Sequence, residues 1–239
     1  MKIVNGLITE LKCAKIKIDL IPKTNENARP GTKIKPTSFT IHNPYLMKAN
    51  VLTEYADREK DDKKSWHFSI GPGIVYQELP IGKYPDCEEA WHAGTYKGNH
   101  TSISAEVQED LASTDTAERF AAELCEYMGW DPSKAVVTHK SWSGKICPAW
   151  IFKNVGWSTF MKKVKAYYDK KEPIKPVDRA PVTYVVVSER LVCYDNPNKK
   201  ADIIKVYKKG DKLKVYDIEK GWAELDYDWY VESNGLKKV

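Results

Sequence analysis

Hydrophobic and polar positions follow two rhythms along this chain, with a break between them. Between residues 38 and 168, short apolar runs alternate with stretches of helical spacing. SFTIH (38–42) is a short buried strand that ends on a polar residue. Leu46, Ala49, Leu52, Tyr55 and Ala56 recur every three or four residues and predict a helix over 46–59. WHFSIG and IVYQELP predict a hairpin turning at Gly71, Pro72 and Gly73. SISAEVQE (102–109) alternates as a strand, with Ile103, Ala105 and Val107 on one face and Ser104, Glu106 and Gln108 on the other. The next helix is expected to be capped by Asp115, with Glu118 closing a capping box, and to end near Gly129, before Asp131-Pro132. AVVTH (135–139) is a further buried strand, again ending on a histidine, and 157–168 form a last amphipathic helix. Strands alternating with helices imply an α/β domain with a mixed central sheet flanked by helices.

The break lies at 169–182, DKKEPIKPVDRAPV, whose three prolines and seven charged residues suit a semi-rigid exposed linker. Beyond it come only short strands: TYVVV, DIIKVY, KLKVYDI, WAELD and WYVES. Turn residues at Asn196-Pro197-Asn198, Lys209-Gly210-Asp211 and Lys220-Gly221 separate them. The organisation expected is a domain over 1–168, a linker over 169–182 and a small all-β barrel or sandwich over 183–239.

Composition narrows the classes. Of 239 residues, 42% are hydrophobic and 30% charged, the balance of a globular chain. A net charge of +5 with a pI near 8.7 falls short of a nucleic-acid binder's basic footprint and is read as weak attraction to an anionic surface. Five cysteines at irregular spacing argue against a disulfide framework and for synthesis in a reducing cytoplasm. Glu10 and Lys12 interrupt the first apolar stretch before it reaches signal-peptide length, and no run is long enough to insert in a membrane.

Two histidines, His42 and His139, end predicted buried strands, and Cys147 follows the second by eight residues within THKSWSGKICP. Singly, a strand-end histidine is ordinarily a satisfied core or surface residue, and a lone cysteine a small buried hydrophobe. Together, two imidazoles and a thiolate make a three-donor set of the kind that holds catalytic zinc with a fourth position open. Such a zinc acidifies a bound water to a pKa of about 7 and polarises a carbonyl.

SFTIHN, SISAE and THKSWSGKICP together resemble the type 2 N-acetylmuramoyl-L-alanine amidases, the family that includes phage endolysins and peptidoglycan recognition proteins. The resemblance spans roughly residues 35–168. It implies the peptidoglycan recognition protein-like amidase fold and cleavage of the amide between the lactyl group of N-acetylmuramic acid and L-alanine. It further implies Zn2+ held by His42, His139 and Cys147, with Glu106 as general base and Lys145 steadying the oxyanion. Attack of water on an amide requires a base, and positive charge where the tetrahedral oxygen becomes negative, so these residue types suit those roles. Trp91 and His92, in AWHAGTY, fall in a loop that the resemblance places beside the substrate groove.

The chain departs from the family pattern in two places. Some relatives carry a catalytic tyrosine in the hairpin strand, where this chain has Trp66 beside His67. That role is vacant, moved to His67, or not needed, and both residues are candidates for substrate contact. His42 is followed by Asn43-Pro44, whereas many relatives place a small hydroxyl residue there.

Residues 183–239 resemble, more loosely, a bacterial SH3-type wall-binding domain, on YKKGDKLKVYDIEKGWAEL and WYVESNGLKKV. Eleven Lys and Arg against ten Asp and Glu leave it at +1, so bulk charge is not its means of binding. The whole then reads as a monomeric endolysin with peptidoglycan as its partner. It is expected to be made in the host cytoplasm and to reach the wall once the membrane is permeabilised. Two other readings stand beside it. One is a recognition protein that binds peptidoglycan without cutting it, against which Cys147 speaks. The other is a cysteine peptidase with Cys87 as nucleophile and His139 as base, which leaves Cys147 and Lys145 unexplained.

Overall fold

The computed structural model describes residues 1–45, 47–50, 63–170, 182–194, 197–199, 203–219, 221–225 and 229–239. The chain divides into two compact units, Met1–Val177 and Asp178–Val239. Most of the expected helix over 46–59 and most of the expected linker fall outside the described residues.

The first unit opens with two strands that the hydrophobic pattern did not predict, β1 (Lys2–Val4) and β2 (Leu7–Glu10). They pair through a turn at Asn5-Gly6, both at positive φ, where asparagine and glycine are the residues least strained. A third unpredicted strand, β3 (Lys15–Ile18), joins the main sheet. β4 (Ser38–His42) matches its predicted bounds, and β5 (Phe68–Gly71) and β6 (Ile74–Gln77) form the predicted hairpin around Pro72-Gly73. Helix α1 (Tyr96–Thr101) leads into β7 (Ser102–Val107), followed by α2 (Leu111–Met128), α3 (Pro132–Ala135) and β8 (Val136–Thr138). Short helices α4 (Lys140–Ser143) and α5 (Ala149–Asn154) precede α6 (Trp157–Tyr168).

The sheet runs β3-β6-β5-β7-β4-β8 and is mixed: β5 and β6 are antiparallel, and every other neighbouring pair is parallel. The α/β expectation with helices on a mixed sheet is therefore met. β7 departs from the alternation expected of it. Lying between β5 and β4, it is buried along both faces except at Glu106, as strands inside parallel sheets are.

The cap expected at Asp115 lies one turn earlier. Asp110 accepts a hydrogen bond from the Ser113 backbone N–H at 2.6 Å and starts α2 at Leu111. Asp115, inside the helix, instead pairs with Arg119 and accepts the Tyr167 hydroxyl at 2.9 Å, tying α2 to α6. The helix ends at Gly129 as expected.

In the core Phe120 of α2 meets Phe39 of β4 and Phe68 of β5, with ring centroids 5.7 and 4.7 Å apart.

The second unit is all-β, as expected, and among the described residues it has seven strands in one antiparallel sheet: β9 (Val182–Val186), β10 (Arg190–Tyr194), β11 (Ile203–Lys208), β12 (Lys212–Glu219), β13 (Trp222–Leu225), β14 (Trp229–Glu232) and β15 (Leu236–Lys238). β10 and β15 were not predicted. Val186, Leu191, Cys193, Leu213, Val215, Ala223, Leu225 and Val231 form its core. Among the described residues no helix is long and apolar enough to cross a membrane.

Truncating Phe120 to alanine removes the ring that joins helix to sheet and is expected to cost about 3–5 kcal/mol. Urea denaturation of the first unit checks this, and a loss below about 1 kcal/mol would show that the three rings do not act as its central contact.

Candidate metal centre

The parallel pairing of β4, β7 and β8 gathers three sequence-distant segments at one edge. His42 ends β4 in register with Glu106 of β7, and His139 follows β8, whose Thr138 pairs with Ile41. Cys147 is brought back by a short loop. After α4 the chain turns at Gly144, and the Lys140 backbone N–H donates to the Cys147 carbonyl at 3.2 Å. Trp142 pins this loop to β4 by donating its indole N–H to the Thr40 hydroxyl at 2.9 Å. Asn43, the residue that departs from the family pattern, stitches the same edge: its amide donates to the Val107 carbonyl and its oxygen accepts the Ile151 N–H.

His42, His139 and Cys147 are all buried, and one donor atom of each lies within 4.8 Å of the others. His42 Nδ1 is 3.1 Å from His139 Nδ1 and 3.7 Å from Cys147 Sγ. A tetrahedral zinc with its usual bond lengths needs such pairs about 3.3–3.6 Å apart, so the donor set fits that ion. Burial, together with the neighbouring histidines, holds His42 well below the usual imidazole range. Burial also lowers His139, so both rings present neutral lone pairs. The Cys147 thiol is pushed up to about 11, first by burial and then by Glu106. Left without a cation it stays protonated, and a cation converts it to a thiolate ligand.

Glu106 is raised to about 8, first by burial; Lys145 pulls it down and Glu109 pushes it up. Its Oε2 is buried with no hydrogen-bond partner among the described residues. Lys145 is exposed on the loop before Cys147, and its charge bears on His42, His139, Cys147 and Glu106 alike. Five predicted residues are thereby brought together: His42, His139, Cys147, Glu106 and Lys145.

The remaining four are placed differently. Trp66 is buried among Ile21, Ala28, Leu79 and Ala90 and donates its indole N–H to Ser69. His67 is fully buried, donating Nε2–H to the Glu88 carbonyl at 2.9 Å and accepting the Ser104 N–H at Nδ1. Desolvation lowers it to about 4. Neither residue presents a face to a bound glycan, and His67 has no free nitrogen with which to replace an absent tyrosine. Trp91 is half-buried. His92 is buried against His42, with its Nδ1 3.1 Å from His42 Nε2. Cys87 is fully buried, has His67 as its histidine neighbour at 4.0 Å, and is raised to about 12 by burial. A thiol so placed is no nucleophile, which removes the cysteine-peptidase reading. Sequence reasoning missed Asn99, whose side-chain oxygen accepts the N–H groups of both His92 and Ala93.

Known proteins share this fold. The family model described as N-acetylmuramoyl-L-alanine amidase matches residues 32–150. N-acetylmuramoyl-L-alanine amidase CwlH of Bacillus subtilis (strain 168) is 28% identical over 238 residues, covering 94% of this chain and 84% of that protein. The catalytic domain of XlyA, an N-acetylmuramoyl-L-alanine amidase of the same organism, superposes with a TM-score of 0.56. It is 31% identical, with 63% of this chain and 99% of that domain covered. The structure of PlyL matches at a TM-score of 0.56 and 25% identity, covering 64% of this chain and 98% of that one. The fold is thus that of an amidase catalytic domain. Through this domain the chain belongs to the N-acetylmuramoyl-L-alanine amidase family.

Glu106, half-buried with its Oε2 shielded from solvent, makes a signed prediction for metal-free protein. Its carboxyl is higher in the folded state than in the unfolded chain, so its contribution to stability is present below about pH 4.5 and lost as pH rises through about 8. Glu106→Gln abolishes that loss. Thermal melts of chelated protein should show the variant gaining on the parent between pH 5 and 8, and parallel pH profiles for the two proteins would contradict the assignment.

Proposed function

We propose that this chain is a zinc-dependent peptidoglycan hydrolase that cleaves the amide between the lactyl group of N-acetylmuramic acid and L-alanine. The observation that carries the reading is the convergence of His42 Nδ1, His139 Nδ1 and Cys147 Sγ from three separate segments, with Glu106 on the adjoining strand. His42, His139 and Cys147 would hold the ion, which when bound supplies a more acidic water and a Lewis acid for the scissile carbonyl.

The chain's own groups divide the remaining work. Glu106 Oε2, unpartnered in a dry position, takes a proton from the attacking water and returns it to the alanine nitrogen as the C–N bond breaks. A carboxyl that burial holds near the operating pH is suited to both halves of that transfer. Lys145 brings a cation to the carbonyl oxygen as it becomes negative. Trp91, half-buried and next in sequence to His92, which meets His42, is proposed to line the glycan path, whereas Trp66 and His67 support the sheet from within.

The second unit is proposed to be an SH3-type wall-binding module, a reading supported by its strand pattern and its near-neutral charge. Five buried cysteines, none in a disulfide, fit synthesis in a reducing cytoplasm. We read the protein as a monomeric lysin of phage type that acts on the wall once the membrane is breached. A recognition protein that only binds the wall is the competing reading, and the intact donor set speaks against it.

Mass spectrometry of purified Gram-positive peptidoglycan after digestion tests the reaction. Free stem peptides beginning at L-alanine, lost on chelation and restored by zinc, are the expected result, and intact wall under tight binding would favour the recognition protein. Cys147→Ser is expected to lose tightly bound zinc and nearly all activity, because a hydroxyl is a poor substitute for a thiolate; full zinc occupancy by elemental analysis would remove Cys147 from the site. Truncation near residue 170 should leave hydrolysis of solubilised muropeptides intact while weakening wall pull-down, and undiminished pull-down would remove the binding role of the second unit.

A further inference from the structure

An imidazole that binds a cation through Nδ1 must carry its proton on Nε2, and something must hold it there. Both histidine donors face one short stretch of chain, residues 92–94. His42 Nε2 lies 3.1 Å from His92 Nδ1, and the Ala93 backbone bears on the His139 ring. The His92 ring is therefore an acceptor at Nδ1, with its own proton on Nε2. That second nitrogen is buried on the side of the Ser102 backbone. In this arrangement His92 Nδ1 stays open to His42.

The stretch is fixed from behind by one side chain. Asn99 Oδ1 accepts the His92 N–H at 3.1 Å and the Ala93 N–H at 2.8 Å, and Asn99 is itself buried in α1. Gly98 lets the two segments close: a Cβ there would stand 2.4 Å from the Ala93 Cβ and 3.0 Å from the Trp142 ring.

We propose that residues 92–94 form a clamp that sets the ring tautomer and orientation of both histidine donors, and that Asn99, through its two backbone hydrogen bonds, holds that clamp in place. His92 and Asn99 are positioning residues, acting through His42 and His139 and touching neither ion nor substrate. The inference rests on the zinc reading of the centre.

Zinc affinity measured by competition with a chromophoric chelator on metal-free protein tests it without recourse to turnover. Asn99→Ala and His92→Phe, the latter keeping a ring but losing the acceptor, are expected to weaken zinc binding about 10–100-fold. Asn99→Asp retains an oxygen for the two N–H groups, and His92→Asn places an acceptor close to the former Nδ1; both should recover most of the affinity. Thermal melts of the metal-free variants separate positioning from packing, because a positioning role moves affinity while the melting temperature holds. Should Asn99→Ala fail to fold, the His92→Phe and His92→Asn pair carries the test. Parental affinity in both Asn99→Ala and His92→Phe overturns the clamp. No zinc binding by the parent chain overturns the metal reading itself, and the two failures are distinct.

Discussion

The parallel pairing of β4 with β7 and β8 is the constraint on which the rest of the first unit depends. Parallel strands end on the same edge, and this register sets His42 against Glu106 and Ile41 against Thr138. A slip of one residue would turn His42 to the opposite face and carry Phe39 out of the core beneath Phe120. Core packing and donor geometry thus depend on the same register. The site also stands where open α/β sheets generally bind their ligands, outside the carboxyl ends of the strands.

Burial then gives these groups their chemistry. The interior keeps the imidazoles neutral and holds the thiol and the Glu106 carboxyl protonated, each for want of water around the charged form. A cation reverses that cost for the thiol and the carboxyl, because it favours negative charge on sulfur and oxygen, and it uses the ring lone pairs that burial already leaves free. The donor set is therefore complementary to a small divalent ion. Lys145 remains in solvent on the loop before Cys147.

Much of this was legible in the chain because the signals were local. SFTIH, the Pro72-Gly73 hairpin and the helix over 157–168 declared themselves by period and turn residues. THKSWSGKICP was long enough to single out His139 and Cys147 as candidate donors through family resemblance. The Asn5-Gly6 turn was equally legible, but Lys2–Val4 and Leu7–Glu10 are too short and too exposed to show a hydrophobic face. Asp115 offered a sound capping pattern, yet Asp110 won because its helix starts one turn sooner and Asp115 has a tertiary partner in Tyr167. What the chain could not reveal is non-local. The depth of His67, the contact of His92 with His42 and the grip of Asn99 on residues 92 and 93 exist only once β7 is laid between β4 and β5.

The sheet is also lopsided in what it demands of its strands. β4 and β7 carry His42 and Glu106 and β8 leads into His139, whereas β3 and β6 occupy the far flank, and β3 exposes Lys15, Lys17 and Ile18 to solvent. A change of side chain on β3 meets water and a forgiving surface; a change on β4 meets a close-packed core and a fixed set of bond lengths. Tolerance to substitution in this fold is consequently graded across the sheet by strand order, with one flank open to change and the other held fast.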